Sequence, residues 1–189
     1  MHDTALQTAL DALNRRLSAS NWTFGCAPAG DFKQPELTAV HALWLATAAG
    51  RAMPARAELT ARAMKAFLPN MTLIEQVRDE NGAVRYRVRL HGSALARYSG
   101  DATGKFMEDL VAPSRLGGYL AIYDALIELA VPLRVVSNYQ APDIDYLTGE
   151  TFLAPLAAPN GGAPFILSVT YAKPRTQPRQ GLSFVRLTA

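Results

Sequence analysis

The sequence predicts the α+β class, an antiparallel sheet with its helices grouped on one face. Three observations predict it. Across residues 84–91, Val84, Tyr86, Val88 and Leu90 alternate with Arg85, Arg87, Arg89 and His91, the period-two pattern of a strand with one face toward a core. Just before it, Asp79-Glu80-Asn81-Gly82 holds an Asn-Gly pair, which supplies the positive dihedrals of a hairpin turn and makes residues 71–77 the antiparallel partner. Three further apolar runs, 133–140, 151–157 and 165–172, follow one another through Pro, Asp and Gly turns, so few parallel crossovers are required.

In chain order, Leu6, Leu10, Leu13 and Leu17 fall on one face of a first helix, with Thr4 and Gln7 spaced as a capping box. Burying four leucines is worth about 6–12 kcal/mol at most, and a lone helix of this length is marginal in water. The stripe needs a partner, either its own sheet or a second protomer. Residues 18–35 shift to Gly, Pro, Ser and Asn and read as a linker carrying the packed aromatics Trp22 and Phe24. Residues 36–49 form an amphipathic helix with Val40, Leu43, Trp44 and Thr47 on one face, ended by Gly50. Residues 51–56 make a turn held extended at Met53 by Pro54, and a short helix over 59–68 is cut by Pro69.

After the hairpin, Gly92 stops the second strand. Residues 93–99 form a short helix with Ser93 as its N-cap, and Gly100 and Gly104 bracket a polar turn before Phe106 and Leu110. The longest helix, 113–130, carries Leu116, Leu120, Tyr123, Leu126, Ile127 and Ala130 along one face and ends at Pro132. Beyond Pro174 a linker leads to Leu182, Phe184, Val185 and Leu187, too apolar a set for a free tail.

The totals exclude several classes. A chain of 189 residues, 49% apolar, buries a core without staples, and a formal charge of +3 with no basic runs leaves no nucleic-acid or membrane footprint. Cys26 is the single cysteine, so neither an internal disulfide nor a thiolate zinc cluster forms within one chain. No export signal opens the sequence and no apolar run reaches the roughly 20 residues of a membrane span, so the expected compartment is the cytoplasm. Gly100 to Lys105 fails as a phosphate loop, since three residues rather than four separate its glycines and Phe106 follows the lysine. Asp143, Asp145 and Glu150 around Gly149 fail the spacing of a calcium loop. No serine sits in a nucleophile elbow and Cys26 lies in the expected linker, so no catalytic residue and no metal site is assigned.

Two strands, a cluster of short helices, one long helix and a three-strand meander is the order of a PAS domain. Trp44, Arg51, Met53-Pro54, Arg56, Leu68-Pro69, Arg89-Leu90-His91-Gly92-Ser93 and Gly100-Asp101-Ala102-Thr103-Gly104-Lys105 follow the order and spacing W…R.MP.R…LP…RL.G……G.DLTGR. Over about residues 35–173 the chain thereby resembles a bacterial branch of single-domain PAS-like proteins once catalogued as a domain of unknown function. It departs at Ala102, Lys105 and Glu58, where that branch usually has leucine, arginine and aspartate. The resemblance implies a PAS-like five-stranded antiparallel sheet of order 2-1-5-4-3, a cavity between sheet and helices, and an N-terminal helical extension of the kind through which PAS domains dimerise. The implied division is an amphipathic helix and linker over 1–34, a PAS-like domain over 35–174 and a tail over 175–189. Trp44, Arg51, Pro54, Arg56, Pro69, Gly92, Gly100, Asp101 and Gly104 take structural parts in it, and Arg89 is expected to tie the strand end to the Asp101 turn.

A ligand pocket on this plan is lined by Tyr86, Tyr98, Tyr119, Tyr123, Ser137, Asn138 and Tyr139, polar tips among apolar neighbours. Arg85, Arg87 and Arg89 form a solvated stripe or an anion and docking surface. Arg85 and Arg87, with Leu6, Leu10, Leu13 and Leu17, are the partner-surface candidates. No cofactor is required; His41 and His91 are the histidines a noncovalent haem could use. The expected function is a non-catalytic sensory or regulatory module, dimeric, binding a small ligand or a signalling partner such as a histidine kinase in trans. The alternatives are a small isomerase or cyclase using Tyr and Asp as acid and base, and a ligand-free adaptor with a filled core.

Overall fold

The structure, a computed structural model, describes residues 2–138 and 147–174. Strands β1 (Phe24–Pro28), β2 (Met71–Arg78), β3 (Val84–His91), β4 (Leu133–Asn138), β5 (Leu147–Leu156) and β6 (Phe165–Pro174) form one antiparallel sheet of order β1-β4-β5-β6-β2-β3. Helices are α1 (His2–Ala19), α2 (Pro35–Ala48), α3 (Ser93–Ser99), α4 (Met107–Leu110) and α5 (Pro113–Leu129), with 3₁₀ turns at Leu68–Asn70 and Pro159–Gly161. The five expected strands are present, and from the β3 edge they run in the expected 2-1-5-4-3 order.

The sixth strand corrects the linker. Phe24 to Pro28 pair with Ser137 to Leu133, and Phe24 and Cys26 point into the core. Proline is tolerated there because β1 is an edge strand and Pro28 is its last residue. The outer edge of β1 is closed by a side chain of α1: the Asn14 amide donates to the Cys26 carbonyl at 2.8 Å and accepts from the Cys26 N–H at 2.9 Å. The opposite edge, β3, is closed by residues 104–105, with Gly104 N–H to Val88 C=O at 2.8 Å and Val88 N–H to Lys105 C=O at 2.9 Å.

The expected single helical face is also corrected. Alternate residues of the inner strands go to opposite sides, and both sides are covered. On the first face Ile74, Tyr86, Val88, Leu133, Val135, Leu153 and Ile166 share a core with α1, α4 and α5. On the second, Met71, Leu73, Phe152, Ala154, Leu156, Leu167 and Val169 share a core with α2 and residues 59–67. Near-continuous apolar runs such as 152–156 and 165–167 have this physical reason: such strands are buried on both sides. The α1 leucines are used within the chain, Leu10, Leu13 and Leu17 being 1%, 8% and 0% exposed, with Leu6 packed beside them. They are therefore not a free partner surface.

Smaller corrections follow from local chemistry. Thr4 does not cap α1, which begins at His2; Thr8 donates its hydroxyl to the Thr4 carbonyl instead. The N-cap of α3 is Gly92, not Ser93. Residues 59–67 are a series of turns rather than a helix, pinned by Leu59, Met64 and Phe67 in the second core. In the hairpin only Gly82 has positive φ (80°); the Asp79 carboxylate accepts the Asn81 and Ala83 N–H groups, each at 2.9 Å, and shapes the rest of the turn.

The alternation of β3 is broken by a bulge. Leu73 lies opposite Leu90 but Ile74 opposite Val88, which leaves Arg89 as the extra residue. Tyr86 and Val88 face α5, while Leu90 joins the second core. His91 returns to the first face.

Candidate functional site

Between the first face of the sheet and α3, α4 and α5 lies a cavity of about 420 Å³. A smaller one of about 200 Å³ adjoins it, sharing Tyr119, Tyr123, Ser168 and Thr170. Together they make a trough over one end of the sheet. Its floor is a band of hydroxyls: Thr72 lies opposite Ser168, Thr151 opposite Thr170 with their oxygens 2.9 Å apart, and Ser137 continues the band on β4. Ile74 and Leu153 border the band at the inner limit of the two cavities, and beyond them Ile166 belongs to closed core. Small polar inward residues thus leave room where branched apolar ones fill it.

The roof is α5. Tyr119 and Tyr123 lie one turn apart, Tyr119 edge-on to Phe24 at 5.0 Å and Tyr123 edge-on to Tyr86 at 5.1 Å. Burial pushes both phenols up, and the Tyr123 hydroxyl donates to Met107 Sδ at 4.0 Å. The helix is seated by Trp22, whose indole lies against Gly117 and Gly118 and donates to the Ser114 carbonyl at 2.8 Å. A β-carbon at Gly118 would stand 2.9 Å from the indole, which explains a Gly-Gly pair inside a helix.

One wall is His91, delivered by the bulge. Its Nδ1 lies 3.1 Å from the Thr72 hydroxyl and its Nε2 3.0 Å from the Ser99 hydroxyl, which is also 3.2 Å from the Leu95 carbonyl. The arrangement satisfies a neutral ring: Thr72 donates to Nδ1, Nε2–H donates to Ser99, and Ser99 donates to Leu95. Burial lowers the His91 pKa, against a smaller upward pull from the Asp101 charge. Apolar Val88, Met107, Leu110 and Val111 complete the larger cavity, with Arg97 and Tyr98 among its residues on α3; Tyr98 is 68% exposed.

Of the expected pocket residues, Tyr98, Tyr119, Tyr123 and Ser137 line the trough. Tyr86 does not. It is 1% exposed, donates to Asp124 at 2.6 Å and accepts from Gln76 at 3.2 Å, a satisfied core phenol. Asn138 pairs by its backbone with Thr148, and Tyr139 lies outside the described residues. Sequence reasoning missed Thr72, Arg97, Arg115, Thr151, Ser168 and Thr170, and it named His91 only as a motif position and a haem candidate, not as a pocket residue. A signal existed for two of those missed: Ile166, Ser168 and Thr170 form one alternating set in an otherwise apolar run, so two hydroxyls must face the same side as a core isoleucine.

The arginine stripe is internally paired. Arg85 meets Glu108 at 2.5 Å and its guanidinium stacks on Phe106 at 3.7 Å; Arg87 and Arg89 share Glu75 at 2.9 and 3.4 Å. Arg89 accordingly ties β3 to β2 rather than to Asp101, whose carboxylate accepts the Thr103 N–H at 2.9 Å. The remaining motif residues build scaffold. Trp44 donates to the Pro155 carbonyl at 3.1 Å, and Arg51 caps the Thr47 and Ala48 carbonyls while pairing with Glu58 at 2.9 Å. Pro54 and Arg56 flank the bridge between Ala55 and Ala157, and a β-carbon on Gly92 would collide with the Leu68 and Pro69 carbonyls. Gly100 and Gly104, with φ of 72° and 85°, turn the chain that closes the β3 edge.

Among the described residues no group of three His, Cys, Asp or Glu side chains is placed to hold a metal, and no helix is long and apolar enough to cross a membrane. His41 packs beside Phe152 and Phe32, with burial lowering its pKa. The Cys26 thiol is buried and pushed up to about 12, far from a reactive thiolate. No curated protein matches the chain in sequence. Residues 32–170 match the family described as PAS domain. That span includes the hairpin, the α3–α5 cluster and the three-strand meander that enclose the trough, and the chain belongs to the PAS domain family, whose members are sensory and regulatory modules.

Proposed function

We propose that this chain is a cytoplasmic, non-catalytic PAS sensory module that binds a small molecule in the trough and passes its occupancy to a signalling protein in trans, working as a homodimer. The observation that carries the reading is the cavity of about 420 Å³ with its hydroxyl floor. Its size falls in the roughly 300–1,000 Å³ range of small-molecule sites, and polar tips among apolar walls are what orients a ligand. A ligand touching α3 and α4, helices of seven and four residues, would favour one packing of them and so alter the surface around the exposed Tyr98. With the α1 leucines buried, the protomer contact is assigned to the outer side of α2, where Ala39, Ala42, Leu45 and Ala46 are exposed and the helix carries no charge after Glu36.

The catalytic alternative needs a Tyr–Asp pair facing substrate. Tyr86 and Asp124 form such a pair, but Tyr86 lines neither cavity and its phenol is pushed up, by burial first and by the Asp124 hydrogen bond second. A structural part for that pair is the better reading.

Native mass spectrometry of the purified protein tests the sensor. The expected result is an adduct of small-molecule mass that is lost on denaturation. A bare chain, together with no thermal shift across a metabolite library, would give the adaptor reading its place.

A further inference from the structure

We infer that the ligand of the trough is an anion, a small carboxylic acid with an apolar or aromatic body whose carboxylate lies at Arg97. The inference rests on the ligand-binding reading above and adds the chemical class. Its first ground is charge. Neither cavity has an aspartate or glutamate among its described lining residues, whereas Arg97 lines the larger and Arg115 the smaller. Arg85 and Arg134 each pair with a carboxylate of their own and Arg87 and Arg89 share that of Glu75, but Arg97 and Arg115 are in no ion pair among the described residues. A cationic ligand would meet these guanidinium groups with no lining carboxylate to hold it; a carboxylate finds the planar fork that suits it.

The second ground is the direction of the hydrogen bonds. The Thr72 and Tyr123 protons are engaged by His91 and Met107, but Tyr119 keeps a phenol proton and Ser168 a hydroxyl proton for the interior, and one hydroxyl of the Thr151–Thr170 pair keeps its own, so the trough presents donors to an oxygen-bearing group. The third is shape. Val88, Met107, Leu110 and Val111 form an apolar wall that a purely polar anion would leave in contact with water or with nothing. A phosphate would call for several charges or a cluster of backbone amides around it. Each cavity offers a single guanidinium, which matches the single charge of a carboxylate.

The test is calorimetric titration with two matched series that hold the body constant and vary the charge: 4-hydroxyphenylacetate, tyramine and 4-hydroxyphenylethanol, then octanoate, octylamine and octanol. Each is titrated into the full chain, into Arg97→Gln and into Arg115→Gln. The acid of at least one series should bind about tenfold tighter than its amine and alcohol, and Arg97→Gln should remove about that factor from the acid alone. Arg97 is exposed, so the variant keeps its fold. An amine or alcohol that binds as tightly as the acid overturns the inference and leaves the ligand-binding proposal standing. Loss of acid binding in Arg115→Gln but not in Arg97→Gln overturns the placement at Arg97. No binding by any of the six, with no acid among the compounds released from the native protein, overturns the anion assignment; only a bare native chain also removes the sensor reading.

Discussion

The two faces of the sheet are built from the same six strands and do different work. The second face is filled: Trp44, Phe67, Phe152, Leu156, Leu167 and Val169 lock α2 and residues 59–67 onto it, and the family-motif residues from Trp44 to Gly92 brace that side. The first face is filled at one end and open at the other, where Thr and Ser replace Ile and Leu. A small domain can thus keep one face for stability and give up packing on part of the other. Most of the motif residues thus build scaffold, while the open end is lined mainly by positions outside the motif, His91 and Ala102 being the motif residues that reach it.

The largest effect should come from the filled face. Phe152→Ala removes a ring that is 0% exposed and should cost about 3–5 kcal/mol, read as a lowered urea midpoint by tryptophan fluorescence. If the loss is under about 1 kcal/mol, the second face is not the stabilising one. Glu150→Gln comes next, at about 3 kcal/mol at neutral pH. The side chain, 4% exposed, pairs with Arg134 at 2.7 Å and accepts the Lys33 and Gln34 N–H groups, so it holds the start of α2 to the sheet. Burial alone would raise its pKa, but the Lys33 N–H, Arg134 and the Gln34 N–H bring it below the ordinary 4.5. A carboxylate with a depressed folded pKa gives its full stabilisation above the unfolded value and loses it as pH falls through the folded one. The gap between the natural chain and Glu150→Gln should therefore be level from neutral pH down to about 5 and close below 4.5. A gap that widened on acidification would contradict the pairing.

Gly92→Ala should cost about 1–3 kcal/mol, because the new methyl meets two backbone oxygens that cannot turn aside. Thr170→Val on the open face should change stability by under about 1 kcal/mol yet weaken ligand binding, since it deletes a floor hydroxyl and its bond to Thr151. Large destabilisation there would mean that the hydroxyl band is structural. The smallest effect expected on folding is that of Leu45→Glu, within about 0.5 kcal/mol, while light scattering should show a shift from dimer to monomer.

Much of this architecture was legible because local chemistry and tertiary role agree. The hairpin, the long helix and the three-strand meander each carry turn residues at their ends and a periodic face between them. β1 was hidden because Gly25, Cys26 and Pro28 have little strand preference, and only the presence of β4 beside them makes a strand. The bulge at Arg89 was hidden because an extra residue is defined against a partner strand, not along its own. That one slip carried His91 into the trough and sent Leu90 away from it, so the site inherited the error. Tyr119 and Tyr123 could be anticipated from helix periodicity. Ser168 and Thr170 could have been placed from their alternation with Ile166, but Thr72 could not be separated from a solvent-facing hydroxyl until register and face were known.

The clasp between Asn14 and Cys26 couples two events that would otherwise be independent. The Asn14 amide occupies the hydrogen-bonding positions at which a further strand would add to β1. Lifting α1 from the sheet would therefore uncover its leucines and bare a pairing edge in the same motion. Any process that detaches this helix, by partner, proteolysis or heat, would leave β1 as an open edge on which another strand can pair.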